Sequence, residues 1–322
     1  MLFQKEYYNP PSDALWQGRK DSLAHERFFQ MVNLIDLNTQ TIPDSDKGTI
    51  ILGFGSDEGV RRNEGRTGAR TGSDAIRRQL GKLAVHQAPP LIDIGNIVCD
   101  DRQLETAQDQ FAALMTHCQQ LGYKTIALGG GHEIAWAHYQ GLAPVYPDIG
   151  IINFDAHFDL RPNNPSATSG TPFWQIQQYC QTHSLNFNYC CLGVQPAANT
   201  KTLFDSAHEH HVSYLTADEI MEESIAWQKA FLDDFILRHE HLYITLCLDV
   251  FAESYAPGVS APQAMGLTPA QVLILLKYMT QTGKVVSLDI AELSPPLDKE
   301  QQTARLAANI LAKFLNLNYK GM

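Results

Sequence analysis

From residue 49 onward, short apolar runs of strand length alternate with longer stretches patterned as amphipathic helices, and few folds accommodate that alternation. Residues 49–53, 91–95, 124–128, 149–154, 187–194, 212–215, 241–249 and 284–292 read as strands. Between them, Leu104, Ala107, Phe111, Leu114, Met115 and Cys118 form one stripe of a helix that Gly122 can end. Residues 73–80 and 199–211 also read as helices, and Thr216 with Glu219 makes a capping box for a helix running to about His239. Thr268 with Pro269 opens a further helix that Gly283 ends, and Asp298 can cap the last one. The expected architecture is α/β, a parallel sheet covered by helices on both faces. No linker, internal repeat or low-complexity tract divides the 322 residues, so one domain is expected over 1–322, with the polar, proline-punctuated residues 1–45 wrapped irregularly over its surface.

The strand ends carry the chemistry. Asp155, His157 and Asp159 follow the run 149–154 at a spacing of two, so an extended chain would point all three the same way. Two carboxylates and an imidazole on one spot repel and desolvate one another unless a cation sits between them, and a divalent metal is the natural occupant. An Asp-rich strand end also builds turns and helix caps, so the triplet alone leaves both readings open. Three more strand ends add candidates: His132 after Gly129-Gly130-Gly131, Asp249, and Glu292. In a parallel sheet the carboxyl ends lie along one edge, where open α/β folds place their ligands. His208, His210, His211, His239 and His241 read instead as exposed helix-end histidines, since no carboxylate pattern frames them.

The loop 54–69 is rich in Gly and Arg, and its Arg61 and Arg62 could grip carboxylates in a forked geometry; a solvated basic loop is the other reading. The net charge of -11 argues against nucleic acid or an anionic membrane as partner and leaves small polar metabolites. The first residues lack a basic start followed by an apolar core, so a cytoplasmic protein is expected. Cys99, Cys118, Cys180, Cys190, Cys191 and Cys247 show no CxxC pair and no adjacent histidine, and read as buried small hydrophobes rather than disulfides or a thiolate metal site. Neither Gly53-Phe54-Gly55 nor the Gly129 turn completes a dinucleotide-binding fingerprint.

Taken together, Gly129-Gly130-Gly131-His132, Asp155-Ala156-His157-Phe158-Asp159, the strand ending at Asp249, and Asp289-Ile290-Ala291-Glu292 resemble the ureohydrolases, the family of arginase, agmatinase and formimidoylglutamase, over residues 48–317. The loops 57–66, 169–173, 199–204 and 256–262 are similar to its formimidoylglutamase branch, and Phe173 stands at the nearest match to a histidine of the arginases. The resemblance implies a three-layer arginase-like fold with its metal site at the carboxyl ends of the strands, manganese as cofactor, and self-association into a homo-oligomer. It assigns His132, Asp155, Asp159 and Asp249 to one ion, and His157 with the bridging Asp155 and Asp249 to a second. The family's strand carries D-x-D, whereas Phe251 stands two residues after Asp249, so the second site is expected to be weakened. Asp159 is the implied proton carrier to the leaving amine, and Glu292 the partner of the substrate's cationic nitrogen. Arg161, with Arg61, Arg62 and Asn63, is the expected anchor set for substrate carboxylates. The implied reaction converts N-formimidoyl-L-glutamate and water to L-glutamate and formamide, in histidine degradation. A guanidino-acid hydrolase or agmatinase, and a metal-depleted, non-catalytic relative, are the alternatives.

Overall fold

The computed structural model describes residues 3–44, 47–100 and 102–318. Ten strands form one sheet: β1 (Tyr8–Asn9), β2 (Val32–Leu34), β3 (Thr49–Gly55), β4 (Leu91–Val98), β5 (Lys124–Leu128), β6 (Gly150–Phe154), β7 (Tyr189–Val194), β8 (Ser213–Thr216), β9 (Leu242–Cys247) and β10 (Val285–Ala291). Their order is β1-β4-β3-β5-β10-β9-β6-β7-β8, with β2 also on β4, and every pairing is parallel except β1 with β4. The helices are α1 (Phe28–Met31), α2 (Glu58–Arg62), α3 (Gly72–Leu80), α4 (Leu104–Gln120), α5 (Ile134–Leu142), α6 (Pro172–His183), α7 (Lys201–Glu209), α8 (Ala217–Glu222), α9 (Ile225–Ile236), α10 (Pro269–Gln281) and α11 (Gln302–Asn318).

Two apolar layers flank the sheet because its side chains alternate faces. Ile51 of β3 belongs to the apolar layer that includes α3, α8, α9, α10 and α11, while its neighbours Ile50 and Leu52 belong to the layer that includes α4, α5, α6 and α7. The expected three-layer α/β/α arrangement is therefore present. No helix among the described residues is long and apolar enough to cross a membrane.

The N-terminal segment differs from expectation. It supplies β1 and β2 to the sheet, and buries Trp16 and Phe28, which are 3% and 0% exposed. Trp16 Nε1 donates to Asp93 Oδ2 at 2.8 Å, so this segment is fastened to the core and does not merely drape over it. Met1, Leu2 and Ser45 lie outside the described residues. The helix expected from Thr216 to His239 is two: the capping box of Thr216 and Glu219 starts α8, and the Ser224 hydroxyl restarts the chain as α9 by accepting from Trp227 N–H. His239 is buried against Phe235, not exposed.

Four adjacent central strands, β5, β10, β9 and β6, bring His132, Glu292, Asp249 and Asp155 to one edge. The sequence visits β5 and β6 consecutively, yet β10 and β9 lie between them, which makes this edge a topological switch point where a crevice opens. The glycine turn after β5 is clamped to the end of β3: Gly130 N–H donates to Phe54 O at 2.8 Å and Gly131 N–H to Ser56 O at 3.0 Å. A Cβ on Gly130 would fall 1.8 Å from Ser56 O, so only glycine lets the two loops approach this closely.

Candidate metal centre

His132 sits at the middle of the cluster. Its Nδ1 lies 2.9 Å from Asp155 Oδ2 and 2.8 Å from Asp159 Oδ2. His157 Nδ1 is 3.3 Å from both Asp155 Oδ1 and Asp249 Oδ2. Asp155 thus faces one imidazole with each oxygen. Glu292 closes the far side, its Oε1 accepting the His132 backbone N–H at 2.8 Å.

Local structure makes this convergence possible, and it is not the extended alternation expected from the spacing. β6 ends at Phe154, and residues 155–159 form an irregular loop in which Asp159 adopts φ +49°. Glu292 adopts φ +70° just beyond β10. Such left-handed conformations cost a non-glycine residue about 1–3 kcal/mol and persist only where the surroundings enforce them. Here they do: His157 N–H donates to Asp155 Oδ1 at 2.8 Å, while Asn199 holds the loop by accepting from Phe158 N–H at 3.0 Å and donating to Ala156 O at 2.8 Å. Asn153 and Tyr189 support it from beneath, Asn153 Nδ2 donating to Asp155 Oδ2 at 3.2 Å and the Tyr189 hydroxyl donating to Phe158 O at 3.1 Å.

Burial dominates the electrostatics. It pushes Asp159 up to about 6, reinforced by the charge of Asp155, and Glu292 up to about 8, reinforced by Asp249 and Glu133. Asp249 is raised by burial and then by Asp155. For Asp155, burial is outweighed by hydrogen bonds from His132 and His157, which hold it below the ordinary carboxylate range. Burial likewise opposes charge on His132 and His157, but their acidic neighbours hold both well above the ordinary imidazole value. Every one of these shifts is the response of the site to too much negative charge in too little solvent.

A cation fits this arrangement. Among the described residues, the ion-pair partners of Asp155, Asp159 and Asp249 are the two histidines, with no lysine or arginine engaged. Asp249 Oδ1 is buried without a hydrogen-bond partner, the state of an acceptor that expects a metal. Two ligand groups satisfy the distances for an ion, His132 with Asp155 and Cys247, and Asp155 with His157 and Asp249, each with its ligand atoms within 4.8 Å of one another. Oxygen-rich ligands with imidazole suit a hard or borderline divalent metal such as manganese.

Of the five ligands expected from sequence, His132, His157, Asp159 and Asp249 line one pocket with Glu292, and the fully buried Asp155 lies behind them against both histidines. Phe251 supplies no ligand here, as expected. Phe251 is 0% exposed in the apolar core, and Cys247 stands in the cluster instead. The reason is local: β9 ends at Cys247 and Leu248–Val250 is a 3-10 turn, so Cys247 and Asp249 share the site while Phe251 turns away. Asp249 groups with Asp155 and His157, and Cys247 with Asp155 and His132. The reading of all six cysteines as inert core holds for burial and lack of disulfides, but not for the surroundings of Cys247.

Arg161 and Asn63 line the pocket; Arg61 and Arg62 do not, lying in an adjoining cleft that Arg161 and Asn63 also border. Arg61 is paired with Glu58 at 2.6 Å, and Arg62 with Glu58 at 3.0 Å and Glu105 at 2.5 Å. Those partners hold Glu58 down at about 2. Phe173 is fully buried, its ring and that of His132 in a T-shaped arrangement at 5.6 Å between centroids, so an apolar wall stands there. Asp289 is not in the pocket; it accepts from His138 Nδ1 at 2.8 Å and from the Tyr243 hydroxyl in a buried network below it.

Sequence reasoning missed Thr245, whose hydroxyl lies 3.0 Å from His132 Nε2. With an ion bound, this hydroxyl would accept the ring N–H and leave Nδ1, which lies between Asp155 and Asp159, to the metal. Thr245→Val should lower metal affinity by ~10–100-fold with little change in fold, measured by metal titration against circular dichroism. Unchanged affinity would remove Thr245 from this role. A threonine two residues before a strand end carries no signal in sequence, because its partner is 113 residues away.

Comparison with known proteins adds to this geometry. The family model described as the arginase family matches residues 47–316. A formimidoylglutamase of Legionella pneumophila is 57% identical over 313 residues, covering 97% of this chain and 98% of its own length. One from Staphylococcus carnosus is 42% identical, covering 96% of this chain and 100% of its own. Among solved structures, formimidoylglutamase from Bacillus subtilis superposes with a TM-score of 0.80 at 23% identity, over 93% of this chain and 92% of that one. Trypanosoma cruzi formiminoglutamase with Mn2+ superposes with a TM-score of 0.79 at 24% identity, over 90% and 97%.

Proposed function

This chain belongs to the arginase family, and on that premise we propose that it hydrolyses the formimidoyl C–N bond of N-formimidoyl-L-glutamate, giving L-glutamate and formamide. The observation that carries this reading is the near-full-length likeness to the Legionella formimidoylglutamase. The pocket supports it with ligands for a metal at one side and an arginine at the other. His132, Asp155, His157, Asp159 and Asp249 would hold manganese, which when bound would supply the Lewis acidity that makes water nucleophilic near neutral pH. The reading places the enzyme in the cytoplasm, in histidine breakdown.

The remaining steps fall to residues of the chain. Glu292, fixed by the His132 N–H, pairs the cationic nitrogen of the amidine and orients its carbon toward the metal ligands. Water adds to that carbon, the bond to the glutamate nitrogen breaks, and Asp159 delivers a proton to the departing amine. Phe173 and the buried strand ends exclude bulk water from the ligand side. The substrate carries two carboxylates. Arg161 and Asn63, which border both the pocket and the cleft beside it, take the nearer one; Arg61 and Arg62 line the far wall of the cleft, already paired with Glu58 and Glu105.

The test is an assay of the manganese-loaded protein on N-formimidoyl-L-glutamate, following formamide, beside guanidino acids and agmatine, following urea. Formamide release well above urea release is expected; urea release with no formamide would overturn the proposal in favour of a guanidino hydrolase. Arg161→Ala should raise KM by about 10–100-fold and change kcat several-fold less, as expected for lost ground-state binding. An unchanged KM would take Arg161 out of the site.

A further inference from the structure

Cys247 is the last residue of β9, 1% exposed, with its sulfur within 4.8 Å of ligand atoms on both His132 and Asp155. A buried cysteine alone means nothing, since the five others are buried too; Cys191 meets the metal loop only through backbone carbonyls, its Sγ donating to His157 O at 3.4 Å. This one differs in its company. It lines the pocket together with His132, Asp159, Asp249 and Glu292, and groups with His132 and Asp155 as possible ligands of one ion. The second observation is Asp249 itself: 5% exposed, lining the same pocket, with Oδ1 lacking any hydrogen-bond partner. The thiol and the orphaned carboxylate flank Asp155 from two sides, and Asp155 is common to both ligand groups. Cys247 and Asp249, at i and i+2, therefore occupy the strand end as a ligand pair in which sulfur has replaced one carboxylate.

Resting on the metal-dependent reading above, we propose that Cys247 is a thiolate ligand of the metal centre and shifts its preference from manganese toward zinc, cobalt(II) and iron(II). On metal uptake the S–H bond breaks, its proton leaves to solvent, and sulfur binds the ion with no change of oxidation state. A thiolate carries the same single negative charge as the aspartate it replaces, so the centre keeps its charge count and both ion positions keep their ligands. What changes is softness: thiolate favours borderline metals, while manganese and magnesium favour carboxylate and water.

The full-length protein is stripped with chelator and titrated with cobalt(II), following absorbance and bound metal together. A near-ultraviolet thiolate-to-cobalt charge-transfer band that saturates with binding is expected in the wild type and is absent in Cys247→Ser and Cys247→Asp. In competition, the ratio of zinc to manganese bound should fall by on the order of tenfold or more in Cys247→Asp. Independently of any variant, X-ray absorption of the zinc-loaded wild type should show a sulfur neighbour at ~2.3 Å. Stoichiometric cobalt without the band, or zinc without a sulfur neighbour, overturns the proposal while leaving the hydrolase reading intact. A wild type that binds no manganese, zinc or cobalt at all overturns both.

Discussion

Asp155→Asn is expected to empty the centre of metal and to lower kcat/KM by at least ~10³-fold, about 4 kcal/mol of transition-state stabilisation. Asp155 is the one side chain shared by both ligand groups, with its oxygens facing His132 at 2.9 Å and His157 at 3.3 Å. Asparagine preserves the shape and can still accept the His157 N–H, so the loop should keep its form while the charge that gathers the ion is lost. Two measurements separate these effects: bound metal by mass spectrometry, and the rise of Tm on adding manganese. A ligand present at 100 times its Kd stabilises the native state by about 2.7 kcal/mol, so the wild-type Tm should rise with metal and the variant's should not. If the variant retained stoichiometric metal and near-normal turnover, Asp155 would not be the bridging ligand.

What could be read from the chain, and what could not, follows from the range over which each signal acts. His132, Asp155, His157, Asp159, Asp249 and Glu292 were legible because each follows an apolar run, and parallel strands bring their ends to one edge whatever the loops do. How Asp159 and Glu292 turn inward was not legible: both do so through positive φ, which no residue type here announces. The company of Cys247 illustrates a finer point of register. Counting two residues forward from Asp249 gives Phe251 and two back gives Cys247, and both offsets satisfy a strand's period. Only the end of β9 and the 3-10 turn after it decide between them, and the strand was expected to run on to Asp249. The N-terminal strands were invisible for another reason. At two and three residues, β1 and β2 are too short for any periodicity, and their pairing with β4 is a tertiary fact. The helix boundary at Ser224 lay within reach, since serine is a favoured cap, but no acid three residues on marked it.

Arg77→Met should produce the largest loss of stability, about 3–5 kcal/mol, without altering the pocket. Arg77 is 0% exposed, and so is its partner Asp93; Nε and Nη2 each donate to that carboxylate at 2.8 Å in a forked pair. Its remaining N–H groups reach Asn96 Oδ1 at 2.7 Å and Gly95 O at 2.9 Å, and Trp16 Nε1 adds a third donor to Asp93 at 2.8 Å. One guanidinium therefore ties α3 to β4, and through Asp93 to the N-terminal segment that covers the sheet edge. Methionine fills much of the volume but leaves Asp93 charged, buried and held by Trp16 and the Gly95 N–H alone. For a chain of this length the loss corresponds to a fall in Tm of ~4–7 °C, while kcat/KM of the folded fraction at low temperature should match the wild type. The double replacement Arg77→Met with Asp93→Leu should recover most of the loss, because a buried pair is costly to break and much less costly to remove whole. A single variant melting with the wild type would show that the pair carries no net stability; a double variant no better than the single would place the loss in packing and not in the stranded charge.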